Sequence, residues 1–138
     1  MELPLLNRPP PAPQPAAKQL KRLPRRILLV DDQPPVRDAI RLLLEFDQYA
    51  VVEAANGVEA LALFKPSHFD LIITDFEMPG MGGDRLARCI KEVSPSQPIL
   101  MITAYTERLG DADKAVDAVL IKPFPLEELR QTMAQLLR

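Results

Sequence analysis

The sequence contains only one cysteine, Cys89, and one histidine, His68, and both counts limit what the chain can form. A single cysteine cannot form an internal disulfide, so a reducing, cytoplasmic setting is the expectation. A single histidine excludes a histidine-rich metal site. Long apolar runs are also missing, since none approaches the roughly 18–20 residues of a membrane-spanning helix. The proline-broken N-terminus lacks the apolar stretch of a signal peptide, so we expect no membrane association.

Phosphate-binding glycine motifs are absent too, because neither a P-loop nor a G-x-G-x-x-G pattern occurs in the 138 residues. The net charge is −2, although residues 1–26 contain six basic side chains and one acid. The rest of the chain is therefore acidic, and an acidic domain is a poor candidate for direct nucleic-acid binding.

The N-terminal segment is rich in proline, with seven of the 15 prolines among residues 1–24. Proline has no N–H donor and a fixed φ, so this stretch cannot form a regular helix or a central strand. We predict a disordered, basic, proline-rich tail over residues 1–24 and one folded domain over residues 25–138.

Short apolar runs alternate with amphipathic segments through the rest of the chain. This alternation predicts an α/β fold, a doubly wound parallel sheet of five strands with helices on both faces. The predicted strands are Ile27–Val30, Tyr49–Glu53, Leu71–Thr74, Pro98–Ile102 and Ala118–Ile121. Residues 104–116 carry the weakest pattern, with two helical turns at most.

The predicted third helix has a candidate N-cap in Asp84. Leu86, Ile90 and Val93 then have the spacing of one apolar helix face.

Polar side chains follow the strands at the points where they end. Asp31 and Asp32 follow the first strand, Asp75 the third, Thr103 the fourth and Lys122 the fifth. The carboxyl ends of parallel strands meet at one edge, so three carboxylates, a hydroxyl and an ammonium should converge there. Mutual repulsion of the acids favours a hard cation, and oxygen ligands favour Mg²⁺. A phosphoryl group would complete such a site, with an aspartate as nucleophile.

These strand ends resemble the signature of response-regulator receiver domains, and the similarity spans residues 26–138. The motifs that carry it are Leu29-Val30-Asp31-Asp32, the run from Asp70 to Gly83 that contains Thr74-Asp75-Phe76-Glu77-Met78-Pro79-Gly80, Thr103-Ala104, and Lys122-Pro123-Phe124. The resemblance implies the flavodoxin-like strand order 2-1-3-4-5.

The resemblance also implies a role for each site residue. Asp75 is the implied phosphoacceptor and a member of the Mg²⁺ site. Asp32 binds the ion directly, Asp31 mainly through water, and Glu77 through its backbone carbonyl. In addition, Lys122 and the Thr103 hydroxyl contact the phosphoryl oxygens.

The implied function is that of a two-component phosphorelay switch, a phosphoprotein rather than an enzyme with a separate substrate. Its own chemistry is self-phosphorylation and slow autodephosphorylation. The donor would be a histidine kinase or a phosphotransfer protein, and the downstream protein partner is unknown. The alternative is a pseudo-receiver, a constitutive protein-interaction module of the same fold. An aspartyl-phosphate phosphatase is disfavoured, because Pro34 stands where its acid/base aspartate is needed. A flavodoxin is disfavoured by the acids after the first strand.

Three features depart from the family pattern. Val119 occupies the position three before the lysine where the family often has an aromatic switch residue, and Tyr105 is the nearest candidate substitute. Only 18 residues separate Thr103 from Lys122, which predicts a stunted fourth helix. The chain stops after the last helix, so we expect a stand-alone receiver.

Overall fold

The structure is a computed structural model that describes residues 23–104 and 115–138. Its five strands form one parallel sheet in the order β2-β1-β3-β4-β5. The strands are β1 Arg26–Val30, β2 Ala50–Ala54, β3 Leu71–Asp75, β4 Ile99–Thr103 and β5 Ala118–Ile121. The helices of the described residues are α1 Pro34–Phe46, α2 Gly57–Phe64, α3 Gly83–Val93 and α4 Leu126–Leu136. The predicted fold class and strand order are confirmed.

Two apolar layers cover the sheet, because successive strand side chains point to opposite faces. One layer includes Leu28 and Ile72 with residues of α2 and α3, among them Phe64, Leu86 and Ile90. The other layer includes Leu29 and Ile73 with residues of α1 and α4, among them Leu44, Leu129 and Met133. β1, β3 and β4 are buried on both sides, which explains why they read as continuous apolar runs.

The start of α3 differs from the prediction. Its N-cap is Gly82 and it begins at Gly83, so Asp84 lies in the first turn and does not cap the helix. The Gly83 N–H donates to the carbonyl of Phe76 at 2.9 Å, which draws the helix start towards the end of β3. Val93, the last residue of α3, is exposed, so it does not share the buried face of Leu86 and Ile90 that its spacing predicts.

Several predictions concern parts of the chain that lie outside the described residues. They include the disordered tail, except for Leu23 and Pro24, and the stunted helix with Tyr105. Within the described ranges, none of the helices is long and apolar enough to cross a membrane.

Candidate functional site

Three acids meet at the carboxyl edge of the sheet. Asp31 and Asp32 follow β1, and Asp75 is the last residue of β3. Carboxylate oxygens of all three lie within 4.8 Å of one another. Asp31 and Asp75 are buried, whereas Asp32 is half-buried. The convergence of these acids, predicted from their positions after neighbouring strands, is present in the structure.

The hydroxyl and the ammonium come from the two strands on the other side of β3. Lys122 follows β5, and its Nζ lies 3.1 Å from Oδ1 of Asp75. Thr103 ends β4 and is buried. The backbone N–H of Lys122 donates to the carbonyl of Thr103 at 2.8 Å, so the sheet ladder itself holds these two residues side by side. The sequence-predicted group therefore shares one edge.

A close approach of backbone fixes the loop after Asp75. Gly83 opens α3 directly against the end of β3, and a Cβ at this position would collide with the carbonyl of Asp75. Glycine is required here because of this contact. The Phe76 N–H also donates to the carbonyl of Ile102 at 2.9 Å, which extends the pairing of β3 with β4 beyond Asp75. Glu77, two residues after Asp75, is half-buried in the same loop.

Burial is the main influence on the two enclosed acids. It raises the pKa of Asp75 above its ordinary value, while the hydrogen bond and the charge of Lys122 oppose that rise. Burial likewise raises the pKa of Asp31, which the backbone N–H of Gln33 opposes by donating to its Oδ1 at 2.9 Å. The neighbouring acids raise both pKa values further. The site thus disfavours its own negative charge and would gain from a bound cation.

The donor set fits Mg²⁺. The clustered carboxylates of Asp31, Asp32 and Asp75 offer oxygen atoms alone, and the cluster includes neither histidine nor cysteine. Such oxygen ligands suit Mg²⁺ and are not those of a typical zinc site. The half-buried position of Asp32 keeps one side of the cluster open to solvent, as an ion that retains several waters requires.

One residue at the site was missed by the sequence analysis. Arg37, on α1, donates from Nη1 to the backbone carbonyl of Asp31 at 2.7 Å. Its Nε donates to Oε1 of Glu53, on β2, at 3.0 Å. The only sequence signal was an arginine on the polar side of α1, six residues after Asp31, and that is an ordinary position for a solvated charge.

Comparisons with known proteins identify the family of the chain. The family model described as the response regulator receiver domain matches residues 27–134. Response regulator MprA of Mycobacterium sp. (strain KMS) is 40% identical over 119 residues, which cover 84% of this chain and 52% of the relative. The chain thus spans about half the length of this curated relative.

Solved structures give the same result. The response regulator TrrA of Thermotoga maritima, crystallised in complex with Mg²⁺ and BeF, is 36% identical with a TM-score of 0.78, covering 82% of this chain and 99% of that one. A complex of histidine kinase ThkA with TrrA matches at 36% identity and a TM-score of 0.77, covering 83% and 99%. The chain belongs to the response regulator receiver domain family of two-component signalling.

Proposed function

We propose that this receiver domain accepts a phosphoryl group on Asp75, with Mg²⁺ bound by Asp31, Asp32, Asp75 and the backbone carbonyl of Glu77. The observation that carries the proposal is the contact between Lys122 Nζ and Asp75 Oδ1 beside the two other acids. A buried acid that pairs with a lysine next to a cation site is suited to attack phosphorus.

The chain's own residues supply most of the chemistry. An ionised Asp75 oxygen attacks the phosphorus of a phosphohistidine, forming an acyl phosphate as the phosphorus–nitrogen bond breaks. The electron pair of that bond stays on the imidazole nitrogen, which then takes a proton. Lys122 and Thr103 would bind the oxygens of the transferred group, and bound Mg²⁺ would supply further positive charge. The modified molecule is the protein itself, so we regard it as a phosphoacceptor switch and not as an enzyme.

The surface next to the site suits a helical donor protein. Exposed apolar residues recur along one side of α1 at the spacing of a helix face: Pro35, Ala39, Leu42 and Phe46. A mostly apolar groove of about 500 Å³ adjoins this stripe and reaches Lys122 and Pro123. An amphipathic helix that carries the phosphohistidine could rest on this stripe and present its imidazole at the site. We propose a histidine kinase or phosphotransfer protein as this donor.

The stripe can be tested separately from the chemistry. Leu42 is 59% exposed, so Leu42→Asp should fold normally. It should slow phosphotransfer from a phosphorylated donor protein and leave phosphorylation by acetyl phosphate unchanged. Equal transfer rates in wild type and variant would remove α1 as the donor surface.

The central experiment is incubation with Mg²⁺ and acetyl phosphate, followed by intact-mass measurement. We expect an adduct that is stable in acid and labile in base. The adduct should not form when a chelator replaces Mg²⁺ during the incubation. Asp75→Asn is the matched control, because the amide keeps the shape of the side chain and removes the nucleophile. Phosphoryl uptake by Asp75→Asn would contradict the assignment.

The alternative is a pseudo-receiver that binds its partner without phosphorylation. It predicts no adduct in the wild type and a partner affinity that Mg²⁺ and beryllofluoride leave unchanged. The complete set of acids with Lys122 and Thr103 favours the phosphorylated switch over this alternative.

A further inference from the structure

A charged side chain joins the proposed metal site to the strand beside it. Arg37 reaches from α1 to the backbone carbonyl of Asp31 at 2.7 Å and to Oε1 of Glu53 at 3.0 Å. The Arg37 side chain is 17% exposed, so both contacts are partly shielded from water. The second oxygen of Glu53, Oε2, forms an ion pair with Nε of Arg41 at 3.1 Å, without the geometry of a hydrogen bond. The guanidinium of Arg37 is therefore fixed at both ends.

The position of the accepting carbonyl matters. The carbonyl of Asp31 belongs to the peptide group that joins Asp31 to Asp32. A donor on this oxygen restrains the rotation of that peptide group and hence the direction in which both acids leave the chain. Two other bonds restrain the same turn: Asp31 N–H to the carbonyl of Ala54 at 3.1 Å, and Gln33 N–H to Oδ1 of Asp31 at 2.9 Å.

We propose that Arg37, anchored by Glu53, is a positioning residue that sets the Mg²⁺ affinity of the acid pair Asp31 and Asp32. The inference rests on the proposed function, because it assumes that these acids bind the ion. Partners that orient metal ligands commonly change metal affinity by about 10–100-fold when they are removed. The contacts of Arg37 are with Glu53 and the Asp31 carbonyl, so it would act on the acids through the backbone.

Charge alone would act in the opposite direction. A guanidinium beside the site repels a cation, so removing its charge should tighten Mg²⁺ binding if electrostatics dominated. Positioning predicts the reverse, since a freed Asp31–Asp32 turn must be ordered again when the ion binds. The two effects therefore differ in sign, and substitutions at Arg37 can separate them.

The test uses two variants and the unphosphorylated full chain. Arg37→Lys keeps the charge but replaces the planar fork by a single nitrogen, which cannot reproduce both contacts. Arg37→Gln removes the charge and keeps a short polar side chain. Dissociation constants would be measured for Mg²⁺ by calorimetry and for Mn²⁺ by the electron paramagnetic resonance signal of the free ion. We expect both variants to bind these ions about tenfold more weakly than wild type.

Arg41→Lys is the matched control, since Arg41 contacts the same Glu53 and none of its described ion pairs reaches the acid cluster. It should bind both ions within about twofold of wild type. Thermal midpoints in chelator report any purely structural effect.

An Arg37→Lys affinity equal to wild type, even with a lower midpoint, would overturn the inference, as would tighter binding by Arg37→Gln. If wild type phosphorylates but the variants bind normally, only this inference fails. If wild type binds neither ion, the proposed function fails with it.

Discussion

Replacing Asp75 by asparagine should stabilise the fold in the absence of divalent ions. The acids at Asp31 and Asp32 have oxygens within 4.8 Å of Asp75, while Lys122 Nζ lies 3.1 Å away. At an effective dielectric constant of about 20, each repulsion is worth about 3.5 kcal/mol and the attraction about 5 kcal/mol. The repulsion by the two acids and the attraction by Lys122 thus largely offset each other, and burial, the largest influence on Asp75, then disfavours its charged form.

The expected gain for Asp75→Asn is about 1–2 kcal/mol at pH 7, or a rise in Tm of about 4–8 °C for a domain of this size. The assay is urea and thermal unfolding in chelator, with Asp38→Asn as the control. Asp38 is an exposed acid on α1 whose ion pair with Arg41 spans 3.6 Å, so its loss should change little. Adding Mg²⁺ should raise the Tm of wild type more than that of Asp75→Asn. An ion that binds only the folded state stabilises it according to its affinity, and the variant lacks one of the proposed carboxylate ligands.

The dependence on pH follows from the direction of the shift. The pKa of Asp75 in the folded state is raised above 3.8, so the folded state holds the proton more tightly than the unfolded chain does. The contribution of this tighter proton binding to the stability of the folded state is present at low pH and is lost as pH rises through the raised pKa of Asp75. The advantage of Asp75→Asn over wild type should therefore shrink as pH falls towards 4. An Asp75→Asn variant that is no more stable than wild type in chelator at pH 7 would refute this reasoning.

Three further predictions concern substitutions at Gly83, Val119 and Tyr105. Gly83→Ala should destabilise the fold by about 1–3 kcal/mol in urea unfolding, because its Cβ would collide with the carbonyl of Asp75; an unchanged midpoint would contradict the close packing. Val119→Ala, at a half-buried position, should cost about 1 kcal/mol and leave phosphorylation-dependent partner binding intact in a pull-down; loss of binding by the folded variant would assign Val119 a switch role. Tyr105 lies outside the described residues, and from its place two residues after Thr103 alone we expect its ring to hinder the attacking water; Tyr105→Ala should then speed dephosphorylation after the donor is removed, and a rate equal to or below that of wild type would exclude this steric role.

Much of the fold could be predicted because its signals are local. The apolar runs at β1, β3 and β4 are continuous since these strands are covered on both faces, and such runs are readable without any tertiary information. The convergence of Asp31, Asp75 and Lys122 then follows from the rule that parallel strands end at one edge. The start of α3 was misjudged because it depends on the contact of Gly83 with the end of β3, which is tertiary.

The contacts of Arg37 could not be predicted from the sequence for a related reason. Its two partners are a backbone carbonyl and Glu53, which lies on β2, 16 residues away. Backbone acceptors leave no trace in sequence, and a Glu–Arg pair at this separation has no periodicity that would connect it. The acids, the hydroxyl and the ammonium could be predicted from residue type and place at the strand ends, whereas the contact of Arg37 with the backbone of Asp31 could not.

The stability of this edge and its proposed function depend on the same cost, that of clustering acids at a buried position. Asp31 and Asp75 are buried at the ends of adjacent strands; this burial is the main cause of their raised pKa values, and neighbouring acids add to it. A purely structural edge would gain stability by replacing one of these acids, so their combination is explained best by a ligand that removes the repulsion. Lys122 does not fully offset burial and the neighbouring acids, because the pKa of Asp75 remains raised despite that contact. The negative charge left over after Lys122 would give the proposed cation site its affinity, and phosphorylation of Asp75 would change the charge at the same edge that β4 and β5 share.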